Sequence, residues 1–184
     1  EEGTKFFKDY NNGLIKVIDN DFAAEFYETS NNIINEFKFL KYEVSNYAKK
    51  GYQCIHNLNY WNSRNWIGIG PGAYGRGWSS CETSRYEYQN YKNPKTWLSK
   101  NLHHTEYEKI TELNNYESDT DTLTMGLRLY EGIDISKLKN KSIINCGSLR
   151  KLQNQNIVSL KNNTLKVNKD HMIKLNSIID FLIN

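Results

Sequence analysis

An α/β layer followed by a smaller α+β unit is the fold class this sequence predicts, and three observations carry it. Helix-period and strand-period segments alternate over the first hundred residues. A glycine-dense loop, Gly68 to Gly77, follows a short apolar run in their midst. After about His104 the texture changes to short helices around a hairpin, so the division is placed at 1–104 and 105–184. With 184 residues, 38% hydrophobic and 24% charged, the chain can bury a real core.

In chain order, Asp21 to Phe39 carries Phe22, Phe26, Ile33, Ile34 and Phe37 at spacings of three, four and seven, with Asp19 or Asn20 as cap. That predicts an amphipathic helix whose stripe lies on a sheet or another helix. Lys41 to Tyr47 alternates and reads as a strand ending at Lys49-Lys50-Gly51. Trp66 to Ile69 reads as a buried strand, Arg85 to Tyr91 as a third, and Asn93-Pro94-Lys95 as the opening of a short helix. In the second unit, Ser118 to Tyr130 is predicted helical with Gly132 past its end, followed by short helices over Ile135–Leu138 and Ser148–Asn156. Val158–Leu160 and Leu165–Val167 flank Asn162-Asn163, a hairpin turn whose residues tolerate positive φ. Asp170 is expected to cap a closing helix with Met172, Leu175, Ile179 and Leu182 inward. Helices, a hairpin and a closing helix resemble a winged-helix arrangement.

No run approaches the roughly 20 apolar residues of a membrane span, and no secretory signal pattern opens the chain. Net charge is +3, too small to demand a polyanionic partner. Cys54, Cys81 and Cys146 lie too far apart for a C-x-x-C pattern and are odd in number, so a reducing cytoplasm is the expected compartment. Cys81 and Cys146 read as ordinary thiols. The 25 asparagines are given no mechanistic weight. A chain opening at Glu1-Glu2-Gly3 reads as a piece of something longer.

Cys54-Ile55-His56-Asn57-Leu58-Asn59-Tyr60-Trp61 is the densest cluster, set where binding residues gather after a strand and its loop. His56 could bind a metal or serve as a haem axial ligand, Tyr60 and Trp61 offer flat faces, and Asn57 and Asn59 offer donors and acceptors. A hydrogen-bonded structural histidine with the aromatics in the core is the alternative, and the residues leave both open. Gly70, Gly72 and Gly75 satisfy G-x-G-x-x-G, but no helical period follows and Pro71 removes an amide, so a dinucleotide site is rejected. Either a flat ligand approaches this backbone or it is a tight bend. Lys49, Lys50, Arg64 and Arg76 could neutralise ligand carboxylates. His103 and His104 are adjacent and diverge, so they are not read as a metal site. No Asp or Glu lies between Asp134 and Asp170, where Arg150, Lys151, Gln153 and Asn154 would suit a groove-reading helix. A solvated surface is preferred there, and nucleic acid is an unlikely partner.

In order along the chain, Tyr42-Glu43-Val44-Ser45-Asn46-Tyr47-Ala48, Cys54-x-His56-Asn57-x-x-Tyr60-Trp61, Gly68-Ile69-Gly70-Pro71-Gly72-Ala73, and Met125-Gly126-Leu127-Arg128-Leu129 with Glu131-Gly132-Ile133 resemble the C-terminal half of the oxygen-independent coproporphyrinogen III oxidase family. The H-N-x-x-Y-W element is similar to that of its haem chaperone branch. The resemblance implies a radical S-adenosylmethionine protein: the terminal part of a partial, TIM-like (β/α) barrel, then a small appended domain. It implies a [4Fe-4S] cluster and adenosylmethionine in the full-length protein; the cluster's cysteine motif is absent from this chain, so the piece is expected to have no radical chemistry of its own. It places His56, Asn57, Tyr60 and Trp61 on the haem-associated motif, with His56 as the iron ligand, and Leu58, Asn59, Ile69 and Ala73 where related enzymes line the adenosylmethionine pocket.

The function expected from this resemblance is haem binding and transfer to acceptor proteins. Oxidative decarboxylation of coproporphyrinogen III is the enzymatic alternative, and nucleic-acid binding by the basic winged unit a further one.

Overall fold

In the computed structural model, which describes residues 2–81, 83–102 and 105–184, contacts divide the chain into two units, 1–40 and 41–184. The paired His103 and His104 therefore lie outside the described residues.

The first unit holds α1 (Lys5–Asn11) and α2 (Asn20–Glu36). Asp19 caps α2 as expected, its carboxylate accepting from the Phe22 amide at 2.8 Å. The stripe, however, is uncovered: no residue of α2 is buried, and Phe22, Phe26, Ile33 and Phe37 are half or more exposed. Local capping and spacing are enough to specify the helix, and neither says what lies against it.

The second unit begins where β1 (Leu40–Lys41) meets β2 (Tyr47–Ala48) in a two-stranded ladder. A single strand over 41–47 is not what forms. Glu43 Oε1 accepts from the Ser45 amide (3.0 Å), the Ser45 hydroxyl (3.1 Å) and the Asn46 side-chain amide, and a side chain that gathers its own neighbours' donors curls the backbone out of a strand. Glu43 also bridges Leu129, and the Tyr130 amide donates to the Tyr42 carbonyl at 3.1 Å.

Next come α3 (Ile55–Trp61), β3 (Tyr74–Trp78), β4 (Arg85–Gln89), α4 (Pro94–Lys100, capped by Asn93) and β5 (Lys109–Leu113). The strands form an antiparallel sheet in the order β3-β4-β5, so its last strand lies beyond residue 104. A buried strand over Trp66–Ile69 does not occur: only Trp66 pairs, with Arg76, while Ile67 and Ile69 are 76% and 87% exposed. The glycine segment is a tight bend, with Gly70 and Gly72 at positive φ. Buried Asn90 clamps it, donating to the carbonyls of Gly68 (3.1 Å) and Gly70 (2.9 Å). A Cβ at Gly68 would lie 2.0 Å from the Tyr74 carbonyl oxygen, so glycine there lets the two arms of the bend touch.

The remainder is α5 (Asn115–Gly126), β6 (Ile133–Asp134), 3₁₀ turns at Ile135–Lys137 and Lys141–Ile143, α6 (Cys146–Asn154), β7 (Val158–Lys161), β8 (Thr164–Val167), a 3₁₀ stretch Lys169–Lys174 and α7 (Leu175–Ile183). Its antiparallel sheet runs β6-β8-β7. A reciprocal capping box of Asn114 and Glu117 starts α5. That helix stops at Gly126 rather than Tyr130, and Gly132 (φ +77) turns the chain into β6 instead of capping it. Asn162 (φ 50) and Asn163 (φ 62) form the hairpin turn as predicted. Asp170 is no cap: it sits within the 3₁₀ stretch, and α7 starts at Leu175. The described apolar core gathers here, from Leu123 and Leu127 through Leu165 to Ile179 and Leu182. Helix and strand are mixed as expected, but both three-stranded sheets are antiparallel where barrel strands would be parallel. No described helix is long and apolar enough to cross a membrane.

Candidate functional site

The Cys54–Trp61 cluster is a helix, so its residues sort onto faces. His56 and Tyr60, four apart, share one: His56 Nε2 and the Tyr60 hydroxyl are 3.2 Å apart, and the rings meet edge to face with centroids at 4.6 Å and planes at 87°. Tyr60 in turn packs against Trp66 at 4.7 Å and 67°. The result is a row, His56–Tyr60–Trp66, with the imidazole at its exposed end. His56 is not a core histidine.

The other predicted residues are distributed around this row. Asn57 is half-buried and donates to the Tyr42 hydroxyl at 3.3 Å, so its amide braces α3 against the preceding loop. Trp61 is partly buried, with the Arg128 guanidinium 5.2 Å from its ring centroid, and its indole N–H is buried without a described partner. Leu58 and Asn59 are half-buried on α3, whereas exposed Ile69 and half-buried Ala73 flank the Gly70–Gly72 bend. Tyr52, Ile55 and Ile67 are exposed as well, so the two segments on either side of the aromatic row present apolar side chains. Lys49, Lys50 and Arg64 are exposed.

Arg76 does not join them. Its guanidinium pairs with Asp121 on α5 and with Glu87, its cross-strand neighbour on β4, at 3.0 Å. Asp121 also pairs with Arg85 Nη1 at 2.7 Å; no N–H points along that contact, so opposite charge rather than directed hydrogen bonding holds it. Burial disfavours both arginine charges. At Arg76 the contacts with Asp121 and Glu87 outweigh it and the pKa is raised; at Arg85 burial dominates, Arg76 adds repulsion, and the pKa is lowered despite Asp121. A cleft of about 380 Å³ opens beside this network, lined by Arg76 and by Tyr116, Glu117, Thr120 and Asp121 of the α5 segment. Its arginine is already twice paired, so it offers no spare cation to an anion.

Two further features escaped sequence reasoning. Asp119, 3% exposed, accepts from the backbone amides of Lys139 (3.1 Å) and Asn140 (2.6 Å) and so ties α5 to the loop before α6. Cys81 is not an ordinary thiol: hydrogen bonds with the Thr83 hydroxyl (2.9 Å) and then the Ser79 hydroxyl (3.6 Å) lower its pKa to about 7. No sequence pattern marks a hairpin-turn thiol between hydroxyls. On the basic segment, Arg150, Lys151, Gln153 and Asn154 all face solvent on α6. Lys139 is engaged, donating to the Thr83 carbonyl and lying 5.3 Å from the Trp78 ring centroid.

No family model matches the chain. Over 137 residues, 72% of this chain and 31% of the relative, it is 33% identical to radical S-adenosyl methionine domain-containing protein 1, mitochondrial, of Mus musculus. The Danio rerio protein of the same name is 27% identical over 100% of this chain and 44% of its own length. The heme chaperone HemW of Escherichia coli (strain K12) is 45% identical over 58 residues, 32% of this chain and 15% of HemW. Among solved structures, coproporphyrinogen III oxidase (HemN) from Escherichia coli, a radical SAM enzyme, shares the fold with a TM-score of 0.58 over 85% of this chain and 40% of its own, at 10% identity. The chain spans less than half the length of the curated relatives it matches first.

Proposed function

Because the chain belongs to the coproporphyrinogen III oxidase-like family of radical S-adenosylmethionine proteins, whose members include the HemW haem chaperones, we propose that it is the haem-contacting part of such a chaperone and hands haem to acceptor proteins. The observation that supports this best is the exposed His56 imidazole at the open end of an aromatic row.

The donor set suits haem. A haem iron arrives with four ring nitrogens and asks the protein for one or two axial ligands, whereas a caged ion needs three or four side chains. The described residues hold no group of three His, Cys, Asp or Glu placed for such an ion, but they do offer one accessible imidazole amid exposed apolar side chains. In this reading His56 is the axial ligand, Tyr60 and Trp61 pack near the macrocycle, Asn57 holds the helix, and exposed Ile55, Ile67 and Ile69 supply apolar surface worth about 25 cal/mol per Å² covered. Exposed Lys49, Lys50 and Arg64 would pair with propionates.

The same test does not favour an iron–sulfur cluster here. Cys54, Cys81 and Cys146 are free, exposed and carried by a helix cap, a hairpin turn and the start of α6. Cluster and adenosylmethionine therefore belong, in this proposal, to the whole protein, with Leu58, Asn59, Ile69 and Ala73 as candidate nucleotide contacts. The proposed division into the end of a barrel (1–104) and an appended winged-helix-like domain (105–184) gains support in the second part from the order α5, β6, α6, β7, β8. Three free thiols suit a reducing compartment, and the cytoplasm remains the proposed location.

Haem titration of the 184-residue chain tests the reading. A Soret band that saturates and is lost in His56→Ala is expected; a spectrum identical in wild type and variant defeats it. Consumption of coproporphyrinogen by the full-length protein would favour the oxidase alternative, and a salt-dependent mobility shift of duplex DNA the nucleic-acid one.

A further inference from the structure

The geometry points to Tyr60 as the residue that both selects and occupies the ligating nitrogen of His56: its phenol donates to Nε2, keeping the lone pair there and the proton on Nδ1. The inference deepens the haem reading and rests on it only for the consequence drawn below.

A contact of 3.2 Å between Nε2 and the hydroxyl shares one proton, and two arrangements are open to it. Either the phenol donates to the nitrogen, or an Nε2–H donates to the phenol oxygen. A phenol, with a pKa near 10, is a far stronger acid than a neutral imidazole N–H. The imidazole sp² nitrogen is also a better acceptor than a phenol oxygen, whose lone pair is partly delocalised into its ring. Both comparisons favour the phenol as donor, and that fixes His56 as the Nδ1–H tautomer.

The hydroxyl is not free to drift away from this role. Residues 56 and 60 sit one helical turn apart on α3, the imidazole meets the Tyr60 ring edge to face, and Trp66 supports that ring at 4.7 Å from outside the helix. Nδ1 is thereby left as the proton-bearing nitrogen of an exposed ring.

For a haem iron, coordination by His56 then becomes an exchange. The Nε2 lone pair forms the coordinate bond, the O–H···N bond to Tyr60 breaks, and the phenol proton stays on its oxygen and turns to water. Tyr60 would hold the imidazole in the ligating tautomer while slowing and weakening uptake, a useful property for a protein that must release its cargo.

The first test needs no haem. Long-range ¹H–¹⁵N correlation spectra of the chain at about pH 8.5, above the ordinary histidine range, are expected to show His56 Nε2 as the unprotonated nitrogen. In Tyr60→Phe, which removes the hydroxyl and keeps both ring contacts, the Nε2–H tautomer should become populated. A protonated Nε2 in the wild type, or the same tautomer in both proteins, overturns the inference. The second test is haem titration of Tyr60→Phe, expected to bind two- to tenfold more tightly because one competing neutral hydrogen bond is gone; unchanged or weaker binding overturns the proposed exchange. His56→Ala separates the two ideas. If that variant takes up haem with the wild-type spectrum, the axial-ligand reading fails, whereas the tautomer result in the apo chain is unaffected.

Discussion

Removing the negative charge of Asp121 is expected to be the most damaging conservative substitution in the sheet region. Asp121 on α5 faces two guanidinium groups, Arg76 from β3 and Arg85 from β4. The Arg85 side chain is 2% exposed, so Asp121→Asn leaves a buried cation whose remaining partners among the described residues are the Thr122 hydroxyl at 3.3 Å and the face of Trp78, 5.4 Å from its ring centroid. Breaking a buried pair from one side costs about 3–5 kcal/mol. The lower end applies here, because Asp121 is 15% exposed and Arg76, 20% exposed, keeps Glu87. At a urea m-value of about 2 kcal/mol per M, a loss of about 3 kcal/mol moves the unfolding midpoint down by about 1.5 M. Arg85→Met should cost less, since it removes the buried cation itself. The double variant should then be more stable than the sum of the single losses, by at least about 1.5 kcal/mol in a double-mutant cycle. Equilibrium urea unfolding followed by far-UV circular dichroism measures all four proteins. Strict additivity, or a midpoint for Asp121→Asn within about 0.3 M of wild type on the same m-value scale, would mean that Arg85 does not depend on the Asp121 charge.

Alkylation of Cys81, followed by peptide mass spectrometry against pH, should show a midpoint at about pH 7, because hydrogen bonds from Thr83 and Ser79 stabilise the thiolate; Thr83→Val should move it upward, and a wild-type midpoint above about 8.5 contradicts the geometry. Asp119→Ala leaves two part-buried backbone amides without their carboxylate acceptor and is expected to cost about 1–3 kcal/mol in the same unfolding assay, with no loss meaning that water replaces the carboxylate without penalty. Gly126→Ala would set a Cβ 2.8 Å from that of Ile133, so a destabilisation of about 1–3 kcal/mol is expected from overpacking, read as a lowered Tm. Asn163→Gly should be neutral or slightly stabilising and Asn163→Val should lower Tm, since φ at that turn position is 62°; equal Tm values would mean the hairpin does not depend on its turn.

What could be read from the residues alone shares one property: the partners lie within about four positions of each other. Asp19 capping α2, Pro94 opening α4 and the Asn162-Asn163 turn are all of this kind. Their geometry is nearly independent of the rest of the chain. The ordered motifs also identified the family, because they record residue identity rather than shape. The candidate site was half legible. His56 and Tyr60 lie four residues apart in one motif, but their hydrogen bond needs α3 to be a helix, which the uncapped Cys54 did not announce.

Tertiary structure decided the rest. Whether Lys41–Tyr47 runs straight depended on Glu43 capturing three donors and meeting Leu129 far along the chain. Asn90 decided that Gly68–Ala73 is a clamped bend, and register decided that Arg76 faces Glu87 and meets Asp121, 45 residues away, instead of a ligand. Such pairs are chosen by which strands align and which helix covers them, and no local propensity encodes a partner that only the folded backbone brings within reach.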